Sequence, residues 1–243
     1  MRRAIAILGA LVLVMAAAGV GQAMPLSSLL NGGSIQAGDK LFDSWTVSFY
    51  DASDGRTFNP GNIEITALSD GGLSPGPGLS FSISNSELTI QGDGIYAYVD
   101  LMFGFRVSVL ETALAIKDVS LGALGAFFGS QTDLNDGHND NGSYIRESIG
   151  TSAGLNDLGV NEVQFSILDS VTTGVVNDSK AFAPQSQVWV TKNIAVWASE
   201  ATDYAGLYYF EQRFSQIPVG IPEPGMLSFL ALGGLALLRF KRS

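Results

Sequence analysis

The chain has 243 residues, of which 46% are hydrophobic and 15% are charged, and it contains no cysteine. The lack of thiols excludes a cysteine nucleophile, a thiolate zinc site, an iron–sulfur cluster and a cysteine-borne lipid anchor. Residues 24–221 contain 8 basic and 22 acidic residues. Their net charge of −14 makes nucleic acid and anionic lipid headgroups poor partners.

The first 23 residues have the three parts of a secretory signal peptide. Arg2 and Arg3 form a basic start, an apolar stretch covers residues 4–20, and small residues lead up to Ala23. Signal peptidase reads small side chains just before the bond that it cuts. We therefore predict an N-terminal signal helix, export through the Sec translocon and cleavage after Ala23, with an uncleaved anchor as the alternative.

Residues 24–220 predict one body made of strands and turns. Nine segments combine alternation with β-branched or aromatic residues. They are residues 41–50, 62–68, 79–84, 87–91, 96–110, 113–119, 163–168, 188–198 and 207–215. In the first segment, Leu41, Trp45, Val47 and Phe49 are predicted to share one face. Glycine, aspartate and proline separate the segments, which is typical of an all-β sandwich or jelly roll.

Two glycine motifs resemble binding or catalytic signatures. Residues 92–97 fit a loose dinucleotide fingerprint, but the following residues are typical of a strand and not of the helix that this fold requires. Residues 150–154 match G-x-S-x-G, whose serine needs a strand before it, a helix after it and a histidine base. The one histidine of the chain, His138, lies in a polar loop. We interpret both motifs as turns.

Residues 133–142 are rich in oxygen-bearing side chains. Asp133, Asn135, Asp136 and Asp140 are candidate ligands for calcium, which prefers carboxylate and amide oxygens. The spacing departs from that of known calcium loops and lacks a closing glutamate. A solvated turn, in which these side chains cap their own backbone, is the preferred interpretation.

Aromatic side chains of the predicted strands have two interpretations. One is a sugar-stacking platform, since flat ring faces pack on the apolar faces of sugars. The other, which we favour, is core packing. Trp189 and Trp197 are eight residues apart, so one unbroken strand places both on the same face. The candidates for the platform are Trp45, Trp189, Trp197, Tyr204, Tyr208 and Tyr209. No pair stands out among the acidic residues of the body, so we predict no catalytic residues and no enzyme.

The last 23 residues have three consecutive parts. Pro222, Glu223 and Pro224 form a kinked acidic tripeptide that resists joining a helix. Residues 226–238 are apolar and would extend about 20 Å as a helix, less than the roughly 30 Å of a bilayer core. The basic residues Arg239, Lys241 and Arg242 would stay on the cytoplasmic side. This segment predicts a short C-terminal transmembrane helix that holds the tripeptide just outside the inner membrane.

In this order, the three parts resemble the PEP-CTERM sorting signal of exported Gram-negative proteins. The resemblance implies recognition and processing by the membrane enzyme exosortase, in bacteria that make exopolysaccharide. It also implies a brief stay at the inner membrane and a final location at the cell surface or in the extracellular matrix. Residues 1–23 would then be the signal peptide, residues 24–220 the body, and residues 221–243 the sorting signal.

The resemblance leaves the role of the body open. The first hypothesis is a non-enzymatic surface or matrix protein with a hydrated acidic surface. The second is a carbohydrate-binding β-sandwich that uses exposed aromatic residues. The third is a secreted glycan hydrolase, which would need convergent carboxylates in a groove.

Overall fold

Alternating apolar side chains build two antiparallel sheets in the computed structural model, which describes residues 23–130, 140–168 and 171–219. The strands of the described residues are β1 (Ala23–Pro25), β2 (Ile35–Ala37), β3 (Lys40–Ala52), β4 (Ile63–Leu68), β5 (Gly78–Ile83), β6 (Thr89–Gln91), β7 (Ala97–Val109), β8 (Leu114–Ser130), β9 (Asn141–Gly150), β10 (Gly159–Leu168), β11 (Val171–Val175), β12 (Asp178–Gln185), β13 (Gln187–Ala198) and β14 (Asp203–Pro218). A five-residue helix, α1 (Leu26–Leu30), and a 3-10 turn at Pro60–Asn62 lie between the first strands.

Each sheet has its own strand order. Sheet A runs β1-β4-β5-β14-β8-β12, and β6 pairs with one end of β14. Sheet B runs β11-β10-β9-β13-β7-β3-β2. The prediction of an all-β body with two sheets is confirmed. Five strands (β1, β2, β9, β11 and β12) and the helix α1 were not among the predicted segments.

A single apolar core lies between the two sheets. Phe81 of sheet A lies 5.9 Å from Phe103 of sheet B, and Phe42 of sheet B lies 5.5 Å from Phe214 of sheet A, measured between ring centroids. On β7, alternate residues from Ala97 to Val107 are buried, while those between them are half-buried on the outer side. The inward sides of both sheets therefore fill one shared core, as in a sandwich.

The prediction that Leu41, Trp45, Val47 and Phe49 share one face of β3 is wrong. Phe42 and Trp45 are buried and lie three residues apart, whereas Phe49 is 46% exposed. Register shifts interrupt the pairing with β7 between Asp43 and Thr46 and again between Val47 and Phe49. Ser44 has a φ of 56°, in the left-handed region. An extra residue in a bulge moves the following side chains to the opposite face, which strict alternation does not foresee.

An ion pair lies inside the core. Lys192 of β13 and Glu147 of β9 are both fully buried and bonded to each other. Asn161 of β10 donates from Nδ2 to Glu147 Oε1 at 3.2 Å and to the Val119 carbonyl at 3.0 Å. The Lys192 ammonium also lies 5.2 Å from the centre of the Phe210 ring. Burial lowers the pKa of Lys192, and the adjacent Glu147 opposes that change.

The predicted targeting segments lie at the ends of the chain. Ala23 is the first described residue and pairs with Thr66 through β1. The rest of the predicted signal helix, the Pro222–Pro224 tripeptide, the predicted membrane helix and Arg239, Lys241 and Arg242 lie outside the described residues. Within the described residues, no helix has the length and apolar character needed to cross a membrane.

Candidate functional site

The three tryptophans occupy two different environments. Trp45 is 5% exposed and stacks on Phe105 with 4.5 Å between ring centroids, so core packing is confirmed for it. Trp189 and Trp197 share the outer face of sheet B, where both are half-buried. The Arg106 guanidinium lies 5.8 Å from the centre of the Trp189 ring. The prediction that Trp189 and Trp197 share a face is confirmed, but the preference for core packing is wrong for them.

A strip of three aromatic side chains lies on the outer face of sheet A. On β14, Ala205 and Leu207 point into the core, so Tyr204 and Tyr208 point outward and are 37% and 49% exposed. Phe127 of the neighbouring β8 lies between them, with its ring centroid 5.7 Å from that of Tyr204 and 5.9 Å from that of Tyr208. We call Tyr204, Phe127 and Tyr208 the aromatic strip.

Glycines let these rings lie flat on the sheet. A Cβ placed on Gly129 would lie 2.6 Å from the ring of Tyr204, and one on Gly206 would lie 2.5 Å from the ring of Phe127. A Cβ on Gly125 would lie 3.0 Å from the ring of Tyr208. Each ring therefore covers a site without a side chain, which holds one face against the backbone and leaves the other toward solvent.

A groove with a volume of about 520 Å³, lined by polar and apolar groups, lies further along β14 than the strip. Tyr209 follows Tyr208 on β14, and its hydroxyl donates to Glu211 Oε1 of the groove at 2.6 Å. Burial, with this hydrogen bond next in effect, raises the pKa of Tyr209. The groove is lined by Pro75, Ser120, Leu121, Gly122, Ala123, Asn177, Asp178, Ser179, Glu211 and Arg213.

Hydrogen bonds fix the charged groups of the groove. Arg213 donates to Asp70 Oδ1 at 3.0 Å and to Glu211 Oε2 at 3.4 Å. The bond from Arg213 lowers the pKa of Asp70. On the opposite wall, Asp178 accepts from the backbone N–H groups of Glu162 and Ser179, both at 2.8 Å. The groove therefore presents the oriented Glu211 carboxylate beside a neutralised guanidinium, while the Asp178 carboxylate is held by the backbone of β10 of sheet B.

A tight backbone feature shapes the floor of the groove. Ala123 has a φ of 51°, in the left-handed region, and its N–H donates to Asn177 Oδ1 at 3.3 Å. A Cβ on Gly122 would lie 2.3 Å from the same Asn177 oxygen. A larger residue than glycine at position 122 would therefore push Asn177 away from its bond with Ala123.

Sheet B carries a second group of polar and aromatic residues on its outer face. Asp51 and Asp100 are directly opposite across β3 and β7, and the Tyr98 hydroxyl donates to Asp51 at 2.6 Å. Burial and the neighbouring Asp51 raise the pKa of Asp100. Tyr96, 51% exposed, lies with its ring centroid 6.0 Å from that of Tyr98.

The two glycine motifs are turns, as predicted. Asp93 accepts from the N–H groups of Ile95 and Tyr96, both at 2.9 Å, in the turn before β7. Residues 150–154 leave β9 and lead through further turns to β10, so the strand–turn–helix of a nucleophile elbow does not form. His138 lies outside the described residues.

Of the calcium candidates, Asp133, Asn135 and Asp136 lie outside the described residues, and Asp140 lies just before β9. Within the described residues, no group of three or more histidine and carboxylate side chains is arranged to hold a metal ion. The calcium hypothesis therefore stays a prediction for residues 133–140.

Sequence reasoning named Tyr204, Tyr208 and Tyr209 but missed Phe127 and the groove. The predicted strand 113–119 ended before the glycines at 122, 125 and 129, because glycine weakens a strand pattern. One signal was available in the sequence. Glycines at positions 125 and 129 stand on either side of Phe127, and a later segment of the chain carries Tyr204 and Tyr208.

The comparisons with known proteins show neither a family nor a function for this chain. No family model matches the chain, and no curated protein matches it. Among solved structures, one similar chain is TmCBM61 in complex with β-1,4-galactotriose, at 11% identity and a TM-score of 0.24. The match covers 72% of this chain and 89% of that one. A similarity this low assigns neither a fold family nor a ligand to this chain.

Proposed function

We propose that the body is a non-catalytic carbohydrate-binding β-sandwich that attaches an exported protein to polysaccharide. The observation that carries this proposal is the aromatic strip with its exposed tyrosines, followed along β14 by the groove that Glu211 and Arg213 line. Sugar rings have apolar C–H faces that stack on aromatic rings, and hydroxyl groups that need fixed donors and acceptors. The strip offers the first kind of surface, and the groove offers the second through Glu211 and Arg213.

The carboxylates of the groove are already engaged by other groups, which suits binding better than cleavage. Glu211 accepts from Tyr209 and Arg213, and Asp178 accepts from two backbone N–H groups. Glu211 keeps further lone pairs that can accept hydrogen bonds from sugar hydroxyls.

Electrophoresis of the body through gels that contain polysaccharides tests the proposal. The panel is mixed-linkage β-glucan, β-1,4-galactan, galactomannan, xyloglucan, polygalacturonate and alginate. We expect at least one polymer to retard the protein, and no new reducing sugar ends after prolonged incubation. Unchanged migration in all six gels would contradict carbohydrate binding, and release of reducing ends would show a hydrolase.

For the whole chain, we propose the sorting route that the C-terminal resemblance implies. Signal peptidase cuts after Ala23, the Sec translocon exports the body, and exosortase processes the chain near Pro222–Pro224. The product then resides at the cell surface or in the extracellular matrix of a Gram-negative bacterium. There, the body would bind exopolysaccharide.

Mass spectrometry of the protein from cells and medium tests the sorting route. We expect a mature form that begins at Met24 and ends near Pro222–Pro224, and we expect replacement of all three residues of the tripeptide by alanine to leave the tail in place. An unmodified C-terminal Ser243 in the outer fraction of a host with exosortase would contradict the route. This result would not affect carbohydrate binding by the body.

A further inference from the structure

We propose that the polysaccharide bound by the strip and groove is an extended chain free of carboxylate and sulfate groups. This inference rests on the proposed carbohydrate-binding function and names the class of polymer. It follows from the net negative charge of the body, from the ion pairs that already neutralise Arg213, and from the length of the site along β14.

Almost every cation of the body is already paired. Seven of the eight lysine and arginine side chains within the described residues have a carboxylate within 4 Å. The paired cations are Lys40, Arg56, Arg106, Lys117, Arg146, Lys192 and Arg213. With a net charge of −14 over residues 24–221, the protein repels a polyanion instead of attracting it.

Inside the groove, too, the cation is paired and the remaining charge is negative. Arg213 would be its natural contact for an acidic sugar, but Asp70 and Glu211 already neutralise it. Asp178 adds a further negative charge to the lining. Arg213 is the one cation among the residues that line the groove, so a uronic acid placed here would face these carboxylates without a free counter-charge in the lining, whereas a neutral hydroxyl group can donate to Glu211.

The site is long enough for several sugar units in a row. Tyr204 and Arg213 are nine positions apart on β14, which is roughly 30 Å at about 3.3 Å per residue. The outward side chains between them include Tyr208, Tyr209 and Glu211, so stacking and hydrogen-bonding groups succeed one another along the strand. A single sugar can occupy one end, but an extended chain can contact both.

A matched pair of polymers tests the inference. The neutral polymer of the panel that retards the body most is compared with the same polymer after selective oxidation of its C6 alcohols to carboxylates. We expect the oxidised form to bind at least 10-fold more weakly at low salt, with part of the loss recovered at 0.5 M NaCl because salt screens the repulsion. Affinity for neutral fragments should rise with chain length.

A charge variant provides a second readout. The side chain of Asp70 is 74% exposed, so Asp70→Ala should leave the fold unchanged and free one side of Arg213. We expect this variant to bind the oxidised polymer several-fold better than the unmodified protein does. Glu64→Ala, an exposed acidic position on β4, is the matched control and should leave the discrimination unchanged.

The outcomes separate the two proposals. Failure of every polymer to bind would overturn carbohydrate binding itself. Preferred binding of polygalacturonate, alginate or the oxidised polymer would overturn only the inference about charge. A loss on oxidation that persists unchanged at high salt would also overturn it, since the discrimination would then arise from a contact with the C6 hydroxyl.

Discussion

Replacing Tyr204 and Tyr208 together with alanine is expected to weaken binding of the retained polymer by roughly 700-fold. Aromatic side chains at the centre of a binding surface each contribute about 2 kcal/mol, and every 1.4 kcal/mol changes the affinity about tenfold. Because both side chains are exposed, the free energy of unfolding should change by about 1 kcal/mol or less. Affinity electrophoresis and thermal unfolding of the same samples measure the two effects.

Tyr96→Ala is the matched control for this prediction. Tyr96 is 51% exposed, like the strip tyrosines, but it belongs to the turn before β7 of sheet B. The control should bind the polymer as the unmodified protein does. Unchanged affinity of the double variant, or a loss of the same size in Tyr96→Ala, would mean that sugar is not bound on the strip.

Gly129→Ala tests the geometry of the strip without removing a ring. The added Cβ would lie 2.6 Å from the outer atoms of the Tyr204 ring, which can tilt away from the sheet. A flat contact would then be lost, and we expect about 10-fold weaker binding with little change in stability. Normal binding by this variant would contradict the role of the glycine backing.

Glu147→Gln is expected to destabilise the body by about 3–5 kcal/mol, the usual cost of leaving one charge of a buried pair without its partner. Lys192 is fully buried between the sheets, and its ammonium lies 5.6 Å from the Phe81 ring centre and 5.2 Å from that of Phe210. Neither ring replaces a carboxylate. For a domain of this size, the thermal midpoint should fall by about 10 °C.

The pH dependence of this loss has a definite sign. Burial lowers the pKa of Lys192 in the folded protein, and Glu147 opposes that change. Without Glu147, the folded state favours the neutral amine more strongly, while the unfolded chain keeps its proton to about pH 10. Between the two pKa values the unfolded state binds more protons, so the stability of Glu147→Gln should rise with pH toward 10.

Two further variants test whether Glu147 and Lys192 form a direct ion pair. Glu147→Gln combined with Lys192→Met removes both charges and should regain most of the lost stability, since apolar replacement of a buried pair is often neutral or favourable. Glu162→Gln is the exposed control, because its pair with Arg146 is 48% exposed on both sides and should contribute about 1 kcal/mol or less. Additive losses in the double variant would contradict a direct ion pair.

Strand alternation predicted much of the sandwich but not its polar interior. On β13, the inward residues Val188, Val190, Ile194 and Val196 alternate with outward ones, and Lys192 occupies an inward position of the same series. The pattern alone indicates which face Lys192 occupies. It does not indicate that Glu147, 45 residues earlier in the chain, lies opposite it, because that pairing depends on the register of β9.

The aromatic strip was only half predictable for a related reason. Tyr204 and Tyr208 were candidates because exposed rings suit sugar binding, but no single segment indicates whether an outward face is free. Phe127 joins them only after β8 pairs with β14, and that pairing includes register shifts that alternation does not predict. The groove, built from four separate segments of the chain, had no local signature at all.

Tyrosine-selective NMR during titration with the retained neutral polysaccharide tests the central claim most directly. The described residues include all seven tyrosines, on both sheets. We predict that the ring signals of Tyr204 and Tyr208 shift strongly on binding, with a smaller shift for Tyr209, while those of Tyr50, Tyr96, Tyr98 and Tyr144 stay in place. Shifts confined to Tyr96 and Tyr98, or saturable binding without any change at Tyr204 and Tyr208, would contradict it.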